Sequence, residues 1–199
     1  MNYLAHFLLG GRGAAWRAGS LAGDFRKGVI PAPYQGEVEA AVVLHRRIDG
    51  YCARHPALVA LIRQFPENLR RCASIVLDLA FDHHLSRHWR RFTDEPLPAF
   101  VAGVHLDLAT QRSQLPRSAQ RFAARLIDRG ILLGYHRTAN VHRALAFIGL
   151  RLHQPQLADA GVAHWLASYD QIDDNFAAFF PELAEYARTE RAALQANLA

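Results

Sequence analysis

Apolar residues recur every three or four positions along nearly the whole chain, and no stretch alternates with the two-residue period of a half-buried strand. The pattern predicts a short helix over 2–9, a Gly-rich loop at Gly10–Gly13, and a helix over 17–27 stopped by Gly28, Pro31 and Pro33. A longer helix covers 35–54, broken by His55-Pro56, and a short one covers 57–64. Pro66 fits the first turn of a long helix over 67–92. Pro96 and Pro98 open a helix over 98–112, and Pro116 opens one that ends near Gly130. The last segments are 137–153 and 156–196, with Pro181 predicted to break or kink the second. There is no internal repeat, low-complexity tract or linker, so the expectation is a single all-α domain over 1–199.

The stripes themselves carry unexpected polar groups. In the third helix the inward row reads Val38, Ala41, Val42, His45, Ile48, Asp49, Cys52. In the 67–92 segment it reads Ile75, Asp78, Leu79, Asp82, Leu85, Ser86, Trp89. Residues four apart share a helix face, so His45 pairs with Asp49 and Asp78 with Asp82. Carboxylates enter a core only when paired or bound to metal. Two readings stand: a His–Asp hydrogen bond plus arginines reaching in to Asp78 and Asp82, or a shared divalent cation. An oxygen-rich donor set with an imidazole or two suits Mn²⁺ or Mg²⁺ better than zinc.

Composition narrows the class. The chain has 199 residues, 51% of them hydrophobic, enough for one sizeable core. No apolar run approaches the roughly 20 residues that span a bilayer. The opening MNYLAHFLLGG lacks a basic stretch before its apolar one and reads as a buried segment, not a signal peptide. Cys52 and Cys72 lie in no metal-binding spacing, and a reduced, cytoplasmic protein is the expectation. Net charge is +5 with Lys27 the only lysine, so the positive charge is almost all guanidinium. Guanidinium groups pair well with carboxylates and phosphates. An acidic protein partner or a phosphorylated substrate therefore fits. Nucleic acid fits least, because no lysine-rich tail or stacking array of aromatics is present. Arg117, Arg121 and Arg125 share one helix face and read as solvated surface or as a docking site for an acidic partner.

Other polar positions have two readings each. Asp24, among the small residues of GSLAGDF, is a helix cap or a ligand. His6, inside an apolar run, is a core residue or part of a site. His83 borders the inward row and is placed to orient a ligand or donate a proton. Arg46 and Arg47 flank His45, as surface ion pairs or as neutralisers of phosphate charge. His84 and His88, four apart, are a possible metal pair of their own or, with Arg87, Arg90 and Arg91 around them, a solvated basic face, which is the favoured reading. Phe176, Phe179, Phe180 and Leu183 read as core. Neither a phosphate-cradling Gly-rich loop nor a Gly-x-Ser-x-Gly elbow occurs, which argues against P-loop enzymes and serine hydrolases.

The strings MNYLAHFLL, GSLAGDFRKG, LHRRIDGY, LDLAFDHHLSRHW and YDQIDDNFAAFFPEL, in this order from residue 1 to about 190, resemble the acyl carrier protein phosphodiesterase family. The resemblance implies an all-helical, divergent HD-domain-like fold. It also implies Mn²⁺-dependent hydrolysis of the phosphodiester that joins 4′-phosphopantetheine to a serine of acyl carrier protein, a small acidic partner. The matching motif positions are His6, Asp24, His45, Asp49, Asp78, Asp82 and His83. Where HD enzymes carry an adjacent His-Asp, this chain has Asp82-His83, and residues 110–160 match little. With the resemblance, metal is expected at Asp24, His45, Asp49, Asp78 and Asp82 and catalysis at His6 and His83, to which the charge of Arg46 beside His45 adds a third catalytic candidate. The alternatives are a small-molecule or nucleotide phosphohydrolase on the same site, and a carrier-binding module without catalysis.

Overall fold

A computed structural model describes residues 1–198. Its described residues form twelve α-helices and no strand. They are α1 (Tyr3–Leu9), α2 (Ala14–Ala22), α3 (Glu37–Arg54), α4 (Pro56–Gln64), α5 (Glu67–Arg70) and α6 (Ala73–Arg87). Then follow α7 (Leu97–Thr110), α8 (Arg117–Asp128), α9 (Ile131–Gly134), α10 (Thr138–Arg151), α11 (Leu157–Ala167) and α12 (Tyr169–Gln195). The all-helical expectation holds.

Three elements differ most from the periodicity reading. The second helix, expected over 17–27 and stopped by Gly28, covers Ala14–Ala22 and stops at Gly23. The 67–92 segment breaks at Arg71 and Cys72 into α5 and α6, and 156–196 breaks at Ser168 rather than at Pro181. Pro181 lies inside α12 on its exposed side. The carbonyl one turn back, which a proline leaves without an amide partner, can therefore bond to water. Phe176, Phe179, Phe180 and Leu183 keep the opposite face of α12 in the core, as expected.

Helix α6 is the hub. It packs against α1, α10, α11 and α12, and every residue from Leu79 to Ser86 is buried. Its second stripe, Leu77, Ala80, Phe81 and His84, is as inward as the first. A helix that is apolar on all sides is buried on all sides. His84, expected on a solvated face, is therefore fully enclosed.

The closest seam joins α2 to α3. A Cβ on Gly19 would come within 2.3 Å of the Ala41 Cβ, and one on Gly23 within 2.2 Å of the His45 ring. Only glycine permits this approach, and the pair at i and i+4 brings the end of α2, with Asp24 just beyond it, onto His45.

Candidate metal centre

His45 is the pivot. Its Nδ1 lies 2.7 Å from the Ser20 carbonyl oxygen, which can only accept, so Nδ1 carries the proton. Its Nε2 then faces Asp49 Oδ2 at 3.2 Å and Asp24 Oδ1 at 3.4 Å. A lone pair aimed at two carboxylates requires an electrophile between them, either a proton or a cation. Burial alone would lower the His45 pKa, but the bonds to Asp24 and Asp49 prevail and raise it to about 9.

His6 of α1 completes the group. Its ring stacks on His45 with centroids 3.7 Å apart, and its Nε2 lies 3.0 Å from Asp49 Oδ1. Its Nδ1 is buried with no hydrogen-bond partner among the described residues. Burial, with the neighbouring His45 charge, lowers its pKa to about 4, although Asp49 pulls the other way. Burial would raise the Asp49 pKa, but His45 and His6 hold its carboxyl far below the usual carboxylate range. Asp24 is lowered in the same way, chiefly by His45 against the opposing effect of burial. Asp24 and Asp49 remain about half-exposed while both imidazoles are enclosed. The group thus opens to solvent on its carboxylate side. These donors fit a divalent cation: the two imidazoles and the ionised Asp49 carboxylate converge, Asp24 lies against the same His45 nitrogen, and His45 is already in the tautomer a ligand needs.

The second acidic pair does something else. Asp82 is fully buried, and its two oxygens accept the Leu4 and Ala5 amides at 2.8 and 3.0 Å. It caps α1 across the core, because the helix has no capping side chain at Asn2. Burial raises its pKa to about 7, against the lowering by the two amides. Asp78 Oδ1 lies 3.0 Å from the Met1 ammonium, which also approaches Asp49 Oδ1 at 3.4 Å. The arginines expected to reach Asp78 and Asp82 are not there; the positive end of α1 does that work. Asp82 thus positions the helix that carries His6 and is not among the convergent donors.

Two expected catalytic residues face elsewhere. Arg46 donates to the backbone carbonyls of Gly28, at 2.6 Å, and Arg26, so it pins the loop after Asp24. Arg47 pairs with Glu190 of α12 at 2.5 Å. His83 donates from Nδ1 to the Tyr135 carbonyl at 2.9 Å and accepts from the Tyr169 hydroxyl at 3.0 Å through Nε2. Burial lowers its pKa to about 4, and both nitrogens are already engaged. His84, His88 and Asp173 form a second convergent group, with His84 Nδ1 2.7 Å and His88 Nε2 2.9 Å from Asp173. It is a poor cation site. The Trp165 indole N–H points at His84 Nε2 from 3.3 Å, so the His84 proton belongs on Nδ1, the nitrogen nearest Asp173.

The rim was not legible in the sequence. Tyr3 stands near Asp24, whose charge adds to burial in raising its pKa, and its ring lies 4.6 Å from that of Phe122 on α8, which also meets Phe25 at 5.6 Å. Arginines 117, 121 and 125 are exposed on the same helix, and none forms an ion pair among the described residues. Arg125 lies 5.5 Å over the Phe147 ring of α10.

A family model described as "Acyl carrier protein phosphodiesterase" matches residues 1–183. The chain belongs to the acyl carrier protein phosphodiesterase family. A curated protein of that name from Salmonella agona (strain SL483) is 34% identical over 192 residues, covering 92% of this chain and 95% of its own. Another from Pectobacterium atrosepticum is 28% identical over 199 residues, covering 96% of this chain and 100% of its own. No solved structure matches the chain. The family match runs from α1 into α12 and takes in every residue of the His6–His45 group. Among the described residues, no helix of this family member is long and apolar enough to cross a membrane.

Proposed function

We propose that this member of the phosphodiesterase family hydrolyses the phosphodiester between 4′-phosphopantetheine and the serine of holo acyl carrier protein, releasing the apo carrier, and that it needs a divalent cation, Mn²⁺ or Mg²⁺. The observation that carries the reading is His45, whose Nδ1 is held by the Ser20 carbonyl and whose Nε2 faces both Asp24 and Asp49, where a proton or a cation must sit.

His45, Asp24 and Asp49 would hold the cation, with His6 beside them. A bound cation neutralises the anionic diester oxygens and lowers the pKa of water. The chain supplies the rest. Ser20 fixes the His45 ring, and Asp82 fixes α1 so that His6 stays stacked on it. His6, neutral at pH 7, holds its Nε2 against Asp49. Arg46 anchors the turn that carries Asp24. The uncapped arginines of α8, close to the Tyr3–Phe122 rim, attract an acidic partner and speed encounter more than they strengthen the final complex.

The decisive experiment incubates purified protein with holo acyl carrier protein and Mn²⁺, then weighs the carrier. Loss of the phosphopantetheine mass is expected with Mn²⁺ and not after chelation. An unchanged carrier mass, or full turnover in chelator, would sink the proposal.

A further inference from the structure

A cavity of about 610 Å³ is bounded by α2, the start of α3 and the turn that leads into α8, and Arg26 in its lining stands two residues after Asp24. We infer that it receives the pantetheine arm of the substrate, an inference that rests on the reading above.

Its chemistry is specific. The one cation in the lining is already paired within the protein, and both carboxylates accept hydrogen bonds from neighbouring groups. Arg26 pairs with Glu39 at 2.6 Å, and the other Glu39 oxygen accepts the Gln35 amide at 3.0 Å. Glu37 accepts the Trp16 indole N–H at 2.9 Å. No cation in the lining is free to neutralise a phosphate, so a nucleotide or a second phosphoryl group has no partner here. What the cavity offers is three carboxamides, Gln35, Gln111 and Gln114, over an apolar floor that includes Val38 and Leu115. None of the three side chains is engaged in a hydrogen bond among the described residues. Each presents both a donor and an acceptor. The pantetheine arm is uncharged, carries two secondary amides separated by methylenes, and bears a gem-dimethyl group near its phosphate end. Carboxamides match the amides, and the floor matches the hydrocarbon.

The reach also fits. Along α3, seven residues separate Val38 in the cavity from His45, a rise of about 10 Å. Along α8, six residues separate Pro116 at the cavity edge from Phe122 at the Tyr3–Phe25 rim, about 9 Å. Three amide-linked units extend on the order of 15 Å, so an arm whose phosphate lies at the carboxylates can pass over the Phe25–Arg26 rim and seat its thiol end. Cavities of this volume are ordinary for ligands of this size.

The test uses pantetheine, which has no phosphate, as a calorimetric probe of the wild-type protein and of two variants. Gln111→Ala with Gln114→Ala removes carboxamides, and Gln35→Trp obstructs the cavity from its exposed edge. Both are expected to weaken pantetheine binding and to raise KM for holo carrier by about tenfold, the size of one or two lost hydrogen bonds. Hydrolysis of bis(4-nitrophenyl) phosphate, a diester without an arm, checks that the cation group is intact. Wild-type protein that fails to bind pantetheine, or variants that bind it equally, would overturn the assignment. Gln-dependent pantetheine binding by a wild type that leaves holo carrier uncut would uphold the cavity and overturn the phosphodiesterase reading instead.

Discussion

Asp82 is the residue whose removal discriminates most between a ligand and a clamp. Asp82→Ala strips both acceptors from the amides of Leu4 and Ala5, which no other group satisfies. A buried amide left without a partner costs about 1–3 kcal/mol, so two cost roughly 2–6 kcal/mol. Against this, removing the carboxylate relieves its burial, and that relief depends on pH. The folded pKa of about 7 lies above the ordinary 3.8. Between those values the folded protein holds a proton that the unfolded chain has released, so wild-type stability falls as pH rises towards 7. The alanine variant lacks this slope. Its deficit should therefore be about 2 kcal/mol larger at pH 5.5 than at pH 8, from about 1.5 pH units of linkage at 1.36 kcal/mol each. Urea denaturation in excess chelator at the two pH values measures this without any cation. An unchanged midpoint at constant m-value, or a deficit that grows with pH, would refute the clamp.

Other outcomes follow from the same geometry. In chelator, wild-type stability should fall by up to about 3 kcal/mol between pH 6.5 and 9, as His45 loses the proton it holds between Asp24 and Asp49. His45→Ala should remove that slope, and denaturation series on both proteins would measure it. Changing Arg117, Arg121 and Arg125 together to Ser should lower kcat/KM for holo carrier and flatten its dependence on salt, while kcat stays within about twofold. An unaltered salt dependence would place the carrier elsewhere. Because Trp165 commits the His84 proton to Nδ1, Asp173→Asn should leave the Mn²⁺ stoichiometry found by calorimetry unchanged, whereas Asp49→Asn should abolish binding. Arg46→Ala should loosen residues 26–28, raising their rate of proteolytic cleavage before global unfolding.

Spacing alone determined the helical class, most boundaries, and the face shared by His45 and Asp49, because a 3.6-residue period is a local property of the chain. Local motifs also marked Asp24 and His6 as polar groups in apolar or small-residue surroundings. Spacing could not say which polar residues face one another across elements. Asp78 and Asp82 have the same periodicity as His45 and Asp49, yet α1 folds onto α6 and gives Asp82 two amides in place of a cation. Arg46 and His83 carry the right chemistry, but a loop carbonyl pair claims one, and Tyr135 with Tyr169 claims the other. His84 reads as surface beside its arginines and is core, because burial is set by how many helices surround α6, a quantity no single segment contains. The α2–α3 seam shows both levels together. Gly19 and Gly23 are visible in the sequence as small residues, but only packing shows that their missing Cβ atoms are what bring Asp24 to His45.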